Sequence, residues 1–381
     1  MAPVALRCAI LPPVPVPYRE PLFALLAERG RIEPTVIYQA GRGAGWDQRQ
    51  DWFPERHRYQ ARALHSWQRA RPGRSPLVVP RGVGRALRQA DPGCVVSWEY
   101  GPTTLRALAW TRMRRRPLVL FSELTPACES ELSESQLSVH RLLASRVDGF
   151  VVASTAAKER LEGMGVDPER VEVSLQSAEL ERFGEVAEGR HASDGGPVRF
   201  LSVGRLVPDK NLGTLIEAFA EAGLAPSEAE LHIRGIGPLE EELRRLAERS
   251  GAAVSVAGYV PPAELPDLYA GAGALALVST YEPFGATMRE GAAAGLPLIC
   301  SRLAGAAGDV AVDGENAILV DPRDRPGITR ALRELARDAG LRSRLAAGSR
   351  AVTARHPLEA DAEAFERAVL GAADRRAAGL R

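Results

Sequence analysis

"FLSVGRLVPDKNLGTLIEAFAEAG", Phe200–Gly223, is the stretch from which the fold can be read. An apolar run closes at Gly204, a polar loop brings Arg205 and Lys210, and then Leu212, Leu215, Ile216 and Phe219 recur at helical spacing. A buried strand, a loop and an amphipathic helix make the βα unit of a parallel sheet covered on both faces. The loop also joins two cations to a helix start, whose free N–H groups and positive dipole end favour an anion. Arginine grips phosphate through two hydrogen bonds, and lysine acts as a point charge. Taken alone, the segment reads equally well as two solvated cations at a strand end. It is not a GxxxxGK[ST] loop.

The same alternation runs the length of the chain. Strand candidates in the first half are "LRCAIL", "PTVIYQ", "CVVSW", "PLVLF", "GFVVAS" and "VEVSL", with helical stretches such as Glu20–Arg29 and Thr104–Arg115 between them. In the second half "VRFLSVG", "ELHIRG", "AVSVAG", "ALALVS", "PLICS" and "AILVD" repeat the arrangement. Residues 185–197, "EVAEGRHASDGGP", lack apolar periodicity and read as a linker. A long helical pattern follows Pro326, and a second runs from Leu358 to the end. The expectation is two doubly wound, Rossmann-like α/β domains, 1–184 and 198–355, facing a cleft, with a helical tail over 356–381 that packs back on the first domain.

Bulk properties narrow the partners. The 381 residues are 45% hydrophobic and 25% charged with a net charge of +1, so no field favours nucleic acid. Of 49 basic residues only Lys158 and Lys210 are lysines, in an Ala- and Gly-rich chain of the kind high-GC bacterial genomes encode. Cys8, Cys94, Cys128 and Cys300 are scattered without a CxxC pair, so neither a zinc site nor a disulfide framework follows. No signal pattern and no apolar run of spanning length is present, and a cytoplasmic protein is expected.

Three further strand ends in the second half carry chemistry. "LHIRGIGPLEEELRRLAERSG", Leu231–Gly251, leads from a strand through Gly235 and Gly237 into a helix, and a GxG of this kind admits a ligand close to the backbone or simply makes a tight turn. "VAGYVPPAELPDLY", Val256–Tyr269, ends its strand at Gly258 before Tyr259 and Val260. In "STYEPFGATMREGAAAGLP", Ser279–Pro297, Pro283 and Gly285 force a turn, and a helix winds from Thr287 with free amides at its start. Glu282 precedes that helix and Glu290 lies one turn inside it, while the free amides of Phe284, Gly285 and Ala286 are available to oxygens. A carboxylate accepts two hydroxyl hydrogen bonds, as vicinal diols on ribose or hexose demand. Cations for a diphosphate and acids for sugar hydroxyls, all at strand ends of one domain, spell a nucleotide-sugar site.

"VGRLVPDKNLGTLIEAF", "IRGIGP", "STYEPFGATMREGAAAGLPLICS" and "DGENAILVDPRD", in that order over Val198–Ala351, resemble the donor domain of family 4 glycosyltransferases, retaining enzymes of the two-domain GT-B architecture. The resemblance implies that Arg205 and Lys210 bind the donor diphosphate and stabilise it as it leaves. It gives Glu290 the ribose hydroxyls, and Glu282 with the Phe284–Gly285–Ala286 backbone the transferred sugar. It sets the turns at Gly235–Gly237 and Gly258–Val260 beside the nucleoside. Transfer then proceeds by a front-face route in which the departing phosphate deprotonates a hydroxyl acceptor. The donor is a UDP- or GDP-type sugar, and the acceptor a saccharide, a lipid-linked sugar or a natural-product aglycone. There is no DxD motif, and neither metal nor cofactor is expected. A GT-B nucleotide-sugar epimerase and a catalytically degenerate nucleotide-sugar binder are the alternatives.

The first half departs from that family's pattern. Where a Gly-rich loop is usual after the first strand, this chain has "ILPPVPVPYREP", Ile10–Pro21, and proline offers no N–H to a phosphate. Where a histidine is usual after "PLVLF", Ser122 and Glu123 stand, and Glu123 either replaces it in binding hydroxyls or is a loop acid. His57, His65, His140, His191, His232 and His356 read as structural or solvated, none at a strand end with a supporting acid. Trp46, Trp52, Phe53, Trp67 and Trp98 offer stacking surface or ordinary packing. "RMRRRP", Arg112–Pro117, offers cations to an anionic membrane surface or is a solvated helix end.

Overall fold

The computed structural model describes residues 5–41, 56–71, 74–176, 180–188 and 196–379; Trp46, Trp52, Phe53, His191 and the middle of the expected linker fall outside them. The chain divides into two units, Met1–Ala178 with Pro357–Arg381, and Glu179–His356.

In unit 1, β1 (Leu6–Leu11), α1 (Glu20–Arg29), β2 (Ile32–Tyr38) and β3 (Gln60–Ala63) come first. A hairpin of β4 (Ser66–Arg71) and β5 (Arg74–Pro80) leads through α2 (Val83–Ala90) to β6 (Cys94–Trp98). α3 (Pro102–Arg114), β7 (Leu118–Ser122), α4 (Glu134–Ala144), β8 (Gly149–Val152), α5 (Thr155–Gly163) and β9 (Val171–Val173) follow. The parallel sheet has the order β3-β2-β1-β6-β7-β8-β9. Its inner strands are continuous apolar runs, every residue of β6, β7 and β8 buried, because helices cover both faces. Each fully buried Leu, Ile or Val in them contributes about 1.5–3 kcal/mol.

β3, β4 and β5 escape the sequence reading because they lack the signal of a buried strand. "QARA" sits at the sheet edge, mostly accessible to water, and the arginine-rich hairpin shows no apolar alternation.

Unit 2 opens with α6 (Leu180–Glu188), so its start lies before the boundary at 184 drawn from the sequence, and the helix continues into the expected linker. Then come β10 (Val198–Val203), α7 (Leu212–Glu221), β11 (Ala229–Arg234), α8 (Glu240–Ser250), β12 (Val254–Ala257) and α9 (Leu265–Ala270). β13 (Ala274–Leu277), α10 (Ala286–Ala293), β14 (Leu298–Ser301), β15 (Ala317–Val320), α11 (Arg325–Arg337) and α12 (Ala339–Arg355) complete it. The parallel order is β12-β11-β10-β13-β14-β15. The helical pattern after Pro326 is broken in two at Asp338, whose side chain accepts the N–H of Leu341 at 2.8 Å and caps α12.

α13 (Leu358–Ala377) belongs to unit 1. Its Asp361 accepts the Leu175 N–H at 2.8 Å, and its fully buried Glu366 is paired with Arg29 at 3.1 Å and Arg31 at 3.3 Å. A buried carboxylate is tolerated only with such partners. Both sheets reverse their strand order once, between β1 and β6 and between β10 and β13. Ligands of open parallel sheets bind at the carboxyl ends of strands beside such a reversal.

Candidate functional site

At the reversal of unit 2, β10 runs out through Gly204 into Arg205, which is exposed. The neighbouring turn after β11 is zipped to it by backbone: Gly204 N–H donates to Arg234 O at 3.0 Å, and Leu206 N–H to Ile236 O at 2.8 Å. A Cβ on Gly235, where φ is +151°, would lie 1.7 Å from Gly204 O, and one on Gly237 would lie 2.3 Å from Leu206 O. These two glycines are therefore demanded by loop against loop, which gives the GxG a cause that needs no ligand. Gly258 differs, with nothing within 4 Å of an added Cβ. Tyr259 and Val260 follow it beyond β12, at the sheet's edge.

The turn Pro208–Lys210 ends on Asn211, which adopts a left-handed φ of 56°. Its side-chain amide donates to Val278 O at 3.1 Å and Pro322 O at 2.8 Å, tying the cationic loop to the end of β13. Thr280 N–H adds a bond to Asp209 O at 2.9 Å. The two loops thus arrive together, and Lys210 Nζ is ion-paired with Glu282 Oε2. Beneath them a small hollow is lined by Gly204, Arg205, Lys210, Arg234 and Leu277.

Glu282 and Pro283 lead to buried Phe284 and to Gly285, whose φ of +102° starts α10 at Ala286. A Cβ at Gly285 would meet Met288 Sδ at 2.8 Å, so this turn too is closed to a side chain. Thr287 and Glu290 lie inside α10, the latter facing α9. Tyr269, fully buried with Phe183 packed edge-on at 5.2 Å, donates its hydroxyl to Glu290 Oε2 at 2.6 Å. Burial pushes the Glu290 carboxyl up to about 7, against the opposing pull of the Tyr269 hydrogen bond. Glu290 is thus held by a partner within the helix layer, while Glu282 is engaged by the cation. Tyr269 is a functional candidate that the sequence does not signal, since it ends in an apolar helical pattern like any core tyrosine.

Glu123 lies in unit 1. It follows β7, and its Oε1 is ion-paired with Arg19 Nη2 at 2.8 Å. Its N–H donates to Glu99 Oε1 at 2.6 Å, and Ser122 Oγ donates to Glu99 Oε2 at 3.0 Å. Arg19 and Glu99 are not visible as candidates in the sequence. Their one signal is position, Glu99 directly after β6 and Arg19 at the end of the loop that leads from β1 into α1.

Two histidines have an acid beside them, neither at the carboxyl end of a strand. His57 does have a supporting acid: its Nδ1 is 2.8 Å from Glu20 Oε2, beside Tyr38 and Tyr59, which both donate to Glu20 Oε1. His232 Nε2 is 3.0 Å from Glu230 Oε2 within β11. His140 is structural, stacked on Tyr100 at 4.0 Å, and burial and Arg160 hold it down at about 4. Trp98 is buried and stacks on Phe121 at 3.6 Å, whereas Trp67 is exposed. Of "RMRRRP", Met113, Arg114 and Arg115 are exposed at the end of α3. Among the described residues no group of three or more His, Cys, Asp and Glu is arranged to hold a metal, and no helix is long and apolar enough to cross a membrane.

The family model for glycosyl transferases group 1 matches residues 185–352, and that for a glycosyl transferase 4-like domain matches residues 15–174. Mannosylfructose-phosphate synthase from Agrobacterium fabrum is 28% identical over 230 residues, 55% of this chain and 50% of that protein. The lipopolysaccharide core biosynthesis glycosyltransferase LpsE from Rhizobium meliloti is 27% identical over 330 residues, 85% of this chain and 86% of that one. The chain spans about half the length, or less, of the first curated relatives it matches. The crystal structure of Anabaena Alr3699/HepE in complex with UDP superposes with a TM-score of 0.74 at 18% identity, over 94% of this chain and 98% of that one. That likeness gives the fold, which is of the GT-B type. With both halves matched by glycosyltransferase models in chain order, the chain belongs to the group 1 glycosyltransferases.

Proposed function

We propose that the chain transfers a sugar from a UDP- or GDP-type nucleotide sugar to a hydroxyl acceptor, with retention and without a metal. The observation that carries this reading is the reversal of unit 2, where Arg205 and Lys210 stand at the end of β10 and Glu282 at the end of β13. In the reading, the donor diphosphate replaces Glu282 as the partner of Lys210. Arg205 takes a second phosphate oxygen, so both cations face the charge that grows as the glycosidic C–O bond breaks. Positive side chains there supply the charge that a bridging metal supplies elsewhere. Glu282, released, is free to accept a hydroxyl of the transferred sugar. Glu290 accepts the ribose diol with the oxygen that Tyr269 does not occupy. The acceptor oxygen attacks on the face from which the phosphate departs, and the leaving phosphate oxygen takes its proton.

The family supports the class of reaction, and the Anabaena relative was crystallised with UDP and glucose, a donor fragment of the same chemistry. The test is thermal stabilisation by UDP and GDP, followed by turnover of a nucleotide sugar. Stabilisation that is sharply reduced in Lys210→Ala at the same nucleotide concentration is expected. A chain that answers to no nucleotide would end this reading.

A further inference from the structure

Arg234 closes β11 level with Val203 of β10, at the reversal of unit 2. With Gly204, Arg205 and Lys210 it lines the hollow beneath the two loops. The residue is half-buried, and its Nε, shielded from water, has no hydrogen-bond partner. Among the described residues no acid pairs with its guanidinium. Residues 230, 232 and 234 alternate onto one face of β11, so Glu230 is the acid of that face. It lies four residues down the strand, where its Oε2 is 3.0 Å from His232 Nε2 and 3.8 Å from Arg199 Nε.

Arginine is rarely withdrawn from water unless paired, because the lost hydration costs free energy. Placing that charge beside two more positive side chains raises the cost, and an anion in the hollow removes it. Folding alone therefore gives Arg234 no reason to be where it is.

We propose that Arg234 is a third cation for the donor diphosphate, one that answers the charge appearing as the sugar leaves. The proposal rests on the nucleotide-sugar reading of this site. In that reading the diphosphate displaces Glu282 from Lys210, which brings its oxygens to the hollow that Arg234 lines. A nucleoside diphosphate sugar carries two negative charges on its phosphates. Breaking the glycosidic C–O bond leaves the electron pair on the terminal phosphate oxygen, where a third charge grows while the acceptor oxygen bonds to the sugar carbon. The acceptor's proton meets that oxygen and passes on to water, since the second ionisation of a phosphate lies near pH 6. Lys210 and Arg205 match the two charges of the donor, and Arg234 matches the third. A contact that is strongest once the sugar is leaving raises the rate rather than only holding the substrate.

The test is calorimetric titration of the full-length chain, Arg234→Gln and Arg234→Lys at pH 8, where the terminal phosphate of a free diphosphate is fully ionised. The probes are UDP, GDP, UDP-glucose, GDP-mannose, uridine and guanosine. Whichever diphosphate the wild-type chain binds should lose about tenfold or more in Arg234→Gln, and its sugar ester no more than about threefold. The nucleoside should bind both proteins alike, and Arg234→Lys, which keeps the charge, should retain most of the affinity. Without nucleotide, Arg234→Gln should melt no lower than the wild-type chain, because it removes a cation that folding leaves unpaired. Equal losses for diphosphate and ester, a loss for the nucleoside as well, or a lower melting temperature of the unliganded variant would each overturn the proposal. A wild-type chain that binds neither diphosphate overturns the donor reading and this proposal with it. Binding that Lys210→Ala weakens and Arg234→Gln leaves unchanged overturns this proposal alone.

Discussion

The two strand reversals of this molecule are built from different materials. In unit 2 the backbone does much of the shaping: glycines at 204, 235 and 237 let two loops lie against each other, and a fourth at 285 starts a helix. Lys210 and Arg205 then bring positive charge, and Glu282 is paired with Lys210. In unit 1 the loop after β1 is proline-rich, and its carbonyls accept N–H groups from the end of β2, Gln39 to Pro12 O at 2.9 Å and Ala40 to Pro13 O at 3.0 Å. Side chains do the shaping there, and a glutamate takes the left-handed conformation that a glycine would otherwise supply. A reversal of strand order fixes where a ligand sits; the charge gathered there decides which ligand it is.

The largest effect should come from challenging the glycine half of that contrast. Gly235→Ala sets a methyl carbon 1.7 Å from a backbone oxygen at a φ of +151°, and neither loop can retreat without losing its hydrogen bonds. A loss of more than about 3 kcal/mol is expected, seen as failure of cooperative unfolding in unit 2. Gly258→Ala, with open space around it, should stay within about 0.5 kcal/mol. Equal behaviour of the two variants would mean that loop contact does not dictate these glycines.

Next come the charges. Lys210→Ala should weaken UDP by roughly 1.5–3 kcal/mol, about ten- to a hundredfold, because it removes a charge-assisted partner and leaves Glu282 uncompensated near the phosphates. Uridine, lacking the diphosphate, should bind equally to both proteins in calorimetry. Glu282→Gln should strengthen UDP while erasing any preference for a UDP-sugar over UDP. Should it weaken UDP instead, the pair with Lys210 would be the binding form of the lysine.

How far each reversal could be read in advance follows from the same difference. Unit 2 speaks through local chain chemistry, since Gly204, Arg205, Lys210, Glu282 and Glu290 sit in strand–turn–helix segments that periodicity alone locates. What the sequence hides there is partnership: nothing local pairs Tyr269 with Glu290, twenty-one positions on, or closes Lys210 on Glu282. Unit 1 hides more, because Arg19, Glu99 and Glu123 meet only through sheet order. Even the His57–Glu20 pair depends on β3 adding beside β2, and β3 carries no strand signal.

A pH effect tests a property the two reversals share. Burial lifts Glu290 and Glu99 to about 7, with the charge of Glu123 adding to the effect at Glu99. The folded chain then keeps protons that the unfolded chain releases between its ordinary carboxyl range and pH 7. The contribution of these two groups is therefore undiminished below the ordinary carboxyl range and is lost as the pH rises through that window, by several kcal/mol in total. Glu290→Gln and Glu99→Gln should each flatten part of this slope in denaturation curves taken from pH 4.5 to 8. A slope unchanged in both variants would assign the dependence to other groups.

The smallest effect asks whether Glu290 works through Tyr269. Tyr269→Phe deletes one hydrogen bond of 2.6 Å and little volume, at a cost of about 1 kcal/mol in stability. Because that bond favours the ionised carboxylate, its loss should push the Glu290 carboxyl higher still. An ionised Glu290 is the better acceptor for the ribose diol. UDP affinity at pH 7 should accordingly drop about fivefold in Tyr269→Phe, roughly 1 kcal/mol, and the deficit should narrow at pH 9, where Glu290 is ionised in both proteins. Uridine diphosphate without its 2′-hydroxyl should show a smaller deficit at either pH. A deficit that is the same at both pH values would make Tyr269 a packing residue and leave Glu290 to act without it.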